Sequence, residues 1–206
     1  MRRKKRIIGL GFNKISPYIS FGIFVVLYIV GVLVGTLTVG RSRPFNELIR
    51  NYIGNYVEVR SSGNFFEILA DAVLSVFPYF VFVFLLGTAV IGFVAAPIML
   101  ILKGISFGAI AGYLYFTYKL EGIIFSLLIV LPVSMVAAFG LVVLTKDAFG
   151  FSYRLGGVCL SAGKPVNISS NFKSYYLQSL LTLIPAAIAV ILDVGMSVLF
   201  IGFFSF

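Results

Sequence analysis

The chain has 206 residues, 60% of them hydrophobic and only 11% charged, with a formal charge of +9, a single Cys and no His. Long apolar runs at this density place it among integral membrane proteins and leave no soluble domain of any size. Seven scattered carboxylates, no His and the lone Cys159 exclude a zinc-type ligand set, a His-based triad and a disulfide, so no metal, cofactor or catalytic residue is expected and Cys159 reads as a small packing residue.

Residues 1–16 hold a basic block, M-R-R-K-K-R, and Lys14, and lead into an apolar run over 17–39. The run is too long for a signal peptide and lacks a cleavage site, so it predicts an uncleaved first span. Pro17 suits its first turn, and Gly31 and Gly35 form G-V-L-V-G, which permits close helix approach within this chain or between two copies.

Residues 40–64 are polar overall, with Phe45, Leu48, Ile49, Tyr52, Ile53, Tyr56 and Val57 at the spacing of one helical face. This predicts an amphipathic helix at the membrane surface. Its apolar face, with Arg50 and Glu58, is the candidate partner face; the alternative is a helix resting on lipid or on the bundle. Asn64 and Glu67 have the form of a capping box opening span two, 66–86, with Asp71 expected at headgroup level and Pro78 inside the span.

A tight turn is expected between Gly87 and Gly92, then span three over 93–118, in which Gly104, Gly108 and Gly112 recur every four residues as a groove for another backbone. Span four covers 122–145, a cytoplasmic loop 146–174, and span five 175–206. Ten of the sixteen basic residues fall in the tail and that loop, which orients the chain with its N-terminus in the cytoplasm and its C-terminus outside. The same clustering makes the positive charge a topology signal, and no nucleic acid is expected.

Lys103 is the one cation deep in an apolar stretch, which makes it a candidate functional residue. Four explanations stand: pairing with Asp193, disfavoured by a calculated difference in depth; snorkelling toward the cytoplasmic headgroups; a helix break at Gly104 that exposes carbonyls to the ammonium; or contact with an anionic ligand. Ser106 is placed on a different face, leaving Lys103 without a catalytic partner.

The stretch F-P-Y-F-V-F-V-F-L-L-G-T-A-V-I-G-F-V-A-A-P-I-M-L-I-L-K-G-I-S-F-G, residues 77–108, resembles the stage II sporulation protein M family of bacterial engulfment membrane proteins. The likeness lies in an apolar helix ending at Gly87, then Gly92, an apolar run, and Lys103, Gly104 and Gly108. The resemblance implies a non-enzymatic membrane scaffold that holds cell-wall hydrolases at the septal membrane for peptidoglycan remodelling. The expectation is thus an all-α polytopic protein of the bacterial cell membrane, with five transmembrane helices and an extracytoplasmic amphipathic helix between spans one and two. Its expected partners are membrane lipid and extracytoplasmic or membrane-anchored proteins, with a homodimer left open. The alternative is a small permease or lipid- or anion-handling protein that uses Lys103 as its anion contact.

Overall fold

The computed structural model describes residues 17–39, 41, 43–61, 64–160 and 168–200. The basic tail, Lys164 and residues 201–206, which figure in the expected topology, lie outside these, as does the side chain of Cys159. The described residues form helices α1 (Pro17–Thr38), α2 (Arg43–Ser61), α3 (Phe65–Thr88), α4 (Gly92–Phe125), a π-helical turn (Ser126–Val130), α5 (Leu131–Leu160) and α6 (Ile168–Phe200). Helix is the form an apolar chain takes in lipid, because it satisfies every backbone N–H and C=O within its own segment.

Four helical stretches are long and apolar enough to cross a membrane: Ile19–Thr38, Phe65–Thr88, Gly92–Gly157 and Phe172–Leu199. The third, of 66 residues, is not one straight rod. At Lys119 the backbone leaves the helical region, with φ 49° and ψ −117°, a left-handed conformation that costs a side-chain-bearing residue about 1–3 kcal/mol. Beyond it the chain packs back on itself. Phe125 and Ile129 are buried in one cluster with Ala109, Tyr113 and Leu114, and a methyl on Gly122 would strike the Leu114 carbonyl.

The π turn has a local cause. Pro132 lacks an N–H and its ring crowds the carbonyl four residues back, so the ladder widens by one residue just before it. The Leu131 N–H accordingly reaches the Ser126 carbonyl, five residues back.

α1 and α4 meet through their glycines. A methyl on Gly31 would lie 2.5 Å from the Ile101 carbonyl oxygen, and one on Gly104 2.5 Å from that of Tyr28. Gly35 and Gly108 are closed off in the same way by the Ile105 and Val32 carbonyls, while Gly112 faces Thr36. The Thr36 hydroxyl bonds the carbonyls of Val32 at 3.0 Å and Gly108 at 3.1 Å. Gly31 and Gly35 are therefore spent on packing within this chain. Gly104 is a contact point as well: apart from Lys119, α4 keeps helical backbone throughout, which removes a break at Gly104 from the four explanations for Lys103.

Two other expectations change. The segment read as a loop from 146 is the continuation of α5 to Leu160, with Ala148, Phe151 and Ser152 buried, and α6 starts at Ile168 rather than 175. Lys146, Arg154, Lys164 and Lys173 had argued for a loop, but charged side chains at 146 and 154 leave the opposite face of a helix free to pack. At the start of α3 the Asn64 side chain makes no capping bond; its Nδ2 donates to Glu67 Oε1 at 2.9 Å.

The turn between α3 and α4 is short. Ala89 to Ile91 separate the two helices, Ser152 Oγ donates to the Val90 carbonyl at 2.9 Å, and Gly87 lies against the Tyr175 hydroxyl where a methyl would not fit.

Candidate functional site

α2 lies against the bundle. Ile49 and Ile53, one turn apart, are buried with Val39, Ala109, Tyr113, Leu114, Phe125 and Ile129, and Phe45, Tyr56 and Val57 pack on that cluster. These five residues of the candidate partner face are thus turned toward this chain. Leu48, Arg50, Tyr52 and Glu58 are exposed. The apolar spacing marked one helical face, and what five of its residues cover is the chain's own interior.

The same helix inserts a charge that sequence reasoning missed. Arg60, one turn after Tyr56, is only 2% exposed. Its Nη1 donates to Asp71 Oδ2 at 2.7 Å and its Nη2 to Asp193 Oδ2 at 2.6 Å. Its Nε donates to Ser197 Oγ at 2.8 Å, and its guanidinium lies 3.3 Å from the centre of the Tyr56 ring. The Tyr56 hydroxyl completes the cluster by donating to Asp193 Oδ1 at 2.7 Å. Arg60 thereby ties α2 to both α3 and α6.

The electrostatics follow from burial and partners. Burial opposes the Arg60 charge, but Tyr56, Asp193 and Asp71 outweigh it and hold the guanidinium's pKa above its ordinary value. Burial first, then the Asp193 charge, pushes the Tyr56 phenol well up, so it stays a donor. Burial raises Tyr52 as well.

Asp193 therefore does pair, with Arg60 rather than Lys103. Asp71, expected at headgroup level, is drawn into the same cluster with its side chain 35% exposed. The signal was present in the composition: an acid deep in a late span requires a cation, and Arg60 ends the helix that lies between the first two spans.

Lys103 sits one layer away. Its Nζ donates to the Ser75 carbonyl at 3.1 Å and lies 4.4 Å from the Tyr79 ring centre. Among the described residues it forms no ion pair. Ser75 is 13 residues from the end of α3 and Lys103 11 residues from the start of α4, heights of roughly 20 Å and 17 Å above the turn at 1.5 Å per residue. The ammonium is thus held by a carbonyl at nearly its own height, whereas snorkelling, one of the four explanations, would carry it toward the headgroups.

Lys103 faces a cavity of about 550 Å³ bounded by α2, α3, α4 and the following turn and helix. Ser75, Tyr79, Ser106, Ser134, Asp71 and Asp193 supply its polar wall; Phe45, Leu48, Leu74, Ile110 and Val133 are among its apolar lining. Ser106 shares this wall with Lys103, against the expectation of separate faces, because residues three apart on a helix are neighbours. Its Oγ donates to the Leu102 carbonyl at 3.0 Å and lies 3.4 Å from the Tyr79 hydroxyl.

Gly87 and Gly92 flank the α3–α4 turn, away from this cavity. Among the described residues no group of three His, Cys, Asp or Glu side chains is placed to hold a metal ion. The arrangement offers fixed charges, a sheltered ammonium and an amphipathic chamber, which suits binding and positioning. No family model, curated protein or solved structure matches the chain.

Proposed function

We propose that the protein is a non-enzymatic scaffold of a bacterial cell membrane, of the stage II sporulation protein M type. In this reading α2 is an amphipathic helix on the outer face that positions extracytoplasmic or membrane-anchored partners, cell-wall hydrolases by resemblance. The observation that carries it is the clamp on α2. A 19-residue helix of polar composition has little stability alone, and here Ile49, Ile53 and the Arg60 cluster fix it before any partner arrives. Ordering paid in advance is affinity gained at docking. The helix then presents Glu47, Leu48, Arg50, Asn51, Tyr52, Asn55 and Glu58 outward.

Five crossings follow if the long third stretch reverses at Lys119, where its backbone leaves the helix. The N-terminus is then cytoplasmic and the C-terminus outside. Six basic residues in the tail, with Lys146, Arg154, Lys164 and Lys173, lie on the inner side. Arg60, neutralised in the interior, drops out of the outer count and strengthens the asymmetry.

Co-purification of the full chain from its own membranes in mild detergent tests the proposal. A wall hydrolase or another protein should be retained, and the charge reversals Arg50→Glu and Glu58→Lys should release it. Recovery of lipid alone, with no protein, sinks the scaffold. The second reading, a small permease with Lys103 as its anion contact, is favoured by the cavity. Lys103→Met separates the two, since a scaffold keeps its partner and a permease loses transport.

A further inference from the structure

The cavity beside Lys103 carries two wall charges of opposite sign, one of them shared with Arg60 of α2. The Lys103 ammonium has three donors and gives one to the Ser75 carbonyl. Asp71 commits Oδ2 to Arg60 and keeps its side chain 35% exposed. Asp71 lies one helical turn from Ser75 on α3, a rise of about 6 Å between those two residues along that helix. Asp193 also lies on the wall, but Arg60 and Tyr56 occupy both of its oxygens.

Beyond its polar wall the chamber is lined by apolar side chains, among them Phe45, Ile110 and Val133. Leu48 of α2 and Leu74 of α3 both line it while being 68% and 71% exposed. An opening edged by exposed leucines in a membrane protein admits a hydrocarbon chain. A lone anion would meet Lys103 but also the Asp71 carboxylate. A lone cation would meet the reverse. A head carrying both charges satisfies both walls.

We infer that this cavity binds one zwitterionic amphiphile, a lipid with a primary ammonium and a phosphate on a short linker. Its phosphate meets Lys103, its ammonium meets Asp71, and its chain leaves between Leu48 and Leu74.

Native mass spectrometry of the full chain in detergent, offered long-chain phosphatidylethanolamine, phosphatidylglycerol or phosphatidylcholine in mixed micelles, tests this. One phosphatidylethanolamine should be retained, with the other two at least about tenfold weaker, the glycerol lipid lacking the ammonium and the choline lipid lacking its N–H donors. Lys103→Met and Asp71→Asn should each weaken retention by about tenfold or more, the scale of a hydrogen bond to a charged group. Asp71 also supports Arg60, so Ser134→Phe serves as the second variant: it fills the chamber, leaves both charges in place and should likewise abolish retention.

Equal retention of the three lipids, no retention of any, or retention unchanged by Ser134→Phe overturns the inference. Displacement by free phosphoethanolamine, which has the head and no chain, overturns the lipid assignment in favour of a soluble zwitterion. Partner proteins recovered from the same preparations report on the scaffold separately.

Discussion

Arg60→Met is the most informative single perturbation. The substitution keeps much of the side-chain length and removes every hydrogen bond from the guanidinium to Asp71, Asp193, Ser197 and the Tyr56 carbonyl. What it leaves behind matters more than what it removes. Asp193 is 4% exposed, and an uncompensated buried charge costs about 3–5 kcal/mol. Asp71, a third exposed and better solvated, contributes less, and Asp71→Asn should cost about 1 kcal/mol. At about 2–4 °C per kcal/mol for a chain of this size, Arg60→Met should lower the thermal midpoint in detergent by roughly 6–20 °C. The double variant Arg60→Met with Asp193→Leu removes both charges and should recover most of that loss, since an apolar replacement of a buried pair is often neutral. If the double variant is no more stable than Arg60→Met, or if Arg60→Met matches the native chain, the clamp is not what holds α2.

Two further outcomes are expected. Burial and Asp193 raise the Tyr56 phenol above its ordinary 10.0, so the folded protein holds a proton that the unfolded chain releases; stability should be intact below pH 10 and fall as pH rises beyond it, and Tyr56→Phe should flatten that alkaline loss in a pH series of thermal midpoints. Gly108→Ala drives a methyl into the Val32 backbone and should cost about 1–3 kcal/mol, whereas Gly22→Ala, with nothing within 4 Å, should be neutral or slightly stabilising when the two are compared by thermal unfolding.

Much of the fold was legible in the residues because its helices are long and apolar. Apolar runs over 17–39 and 66–86 became α1 and α3 nearly to the residue, since lipid leaves such a run little alternative to helix. The four-residue spacing of Gly104, Gly108 and Gly112 likewise marked a contact stripe, and α1 fills it. Less was legible where charge and packing compete. Lys146 and Arg154, with Lys164 and Lys173, suggested a loop, yet α5 runs through the first two. The reversal at Lys119, by contrast, falls in the gap read between spans three and four, 93–118 and 122–145.

The candidate site was half visible. Lys103 stood out because an ammonium among apolar residues is costly, and the face from Phe45 to Val57 stood out by its period. Arg60 did not, because at the end of a polar helix it looks like an ordinary surface cation. Depth counted along isolated helices placed Asp193 out of reach of Lys103, and no such count considers a side chain descending from a helix that lies across the bundle.

The amino-acid order alone decided which segments are helical and apolar, where glycines let backbones touch, and that the acid at 193 and the lysine at 103 each required a partner. These follow from local rules, the period of a helix and the cost of charge in lipid. Only the tertiary structure decided who those partners are. Arg60 and Asp193 are 133 residues apart and Lys103 and Ser75 are 28 apart, and which groups meet depends on how the helices pack. The same packing turned the period-matched face of α2 inward and opened the chamber beneath it.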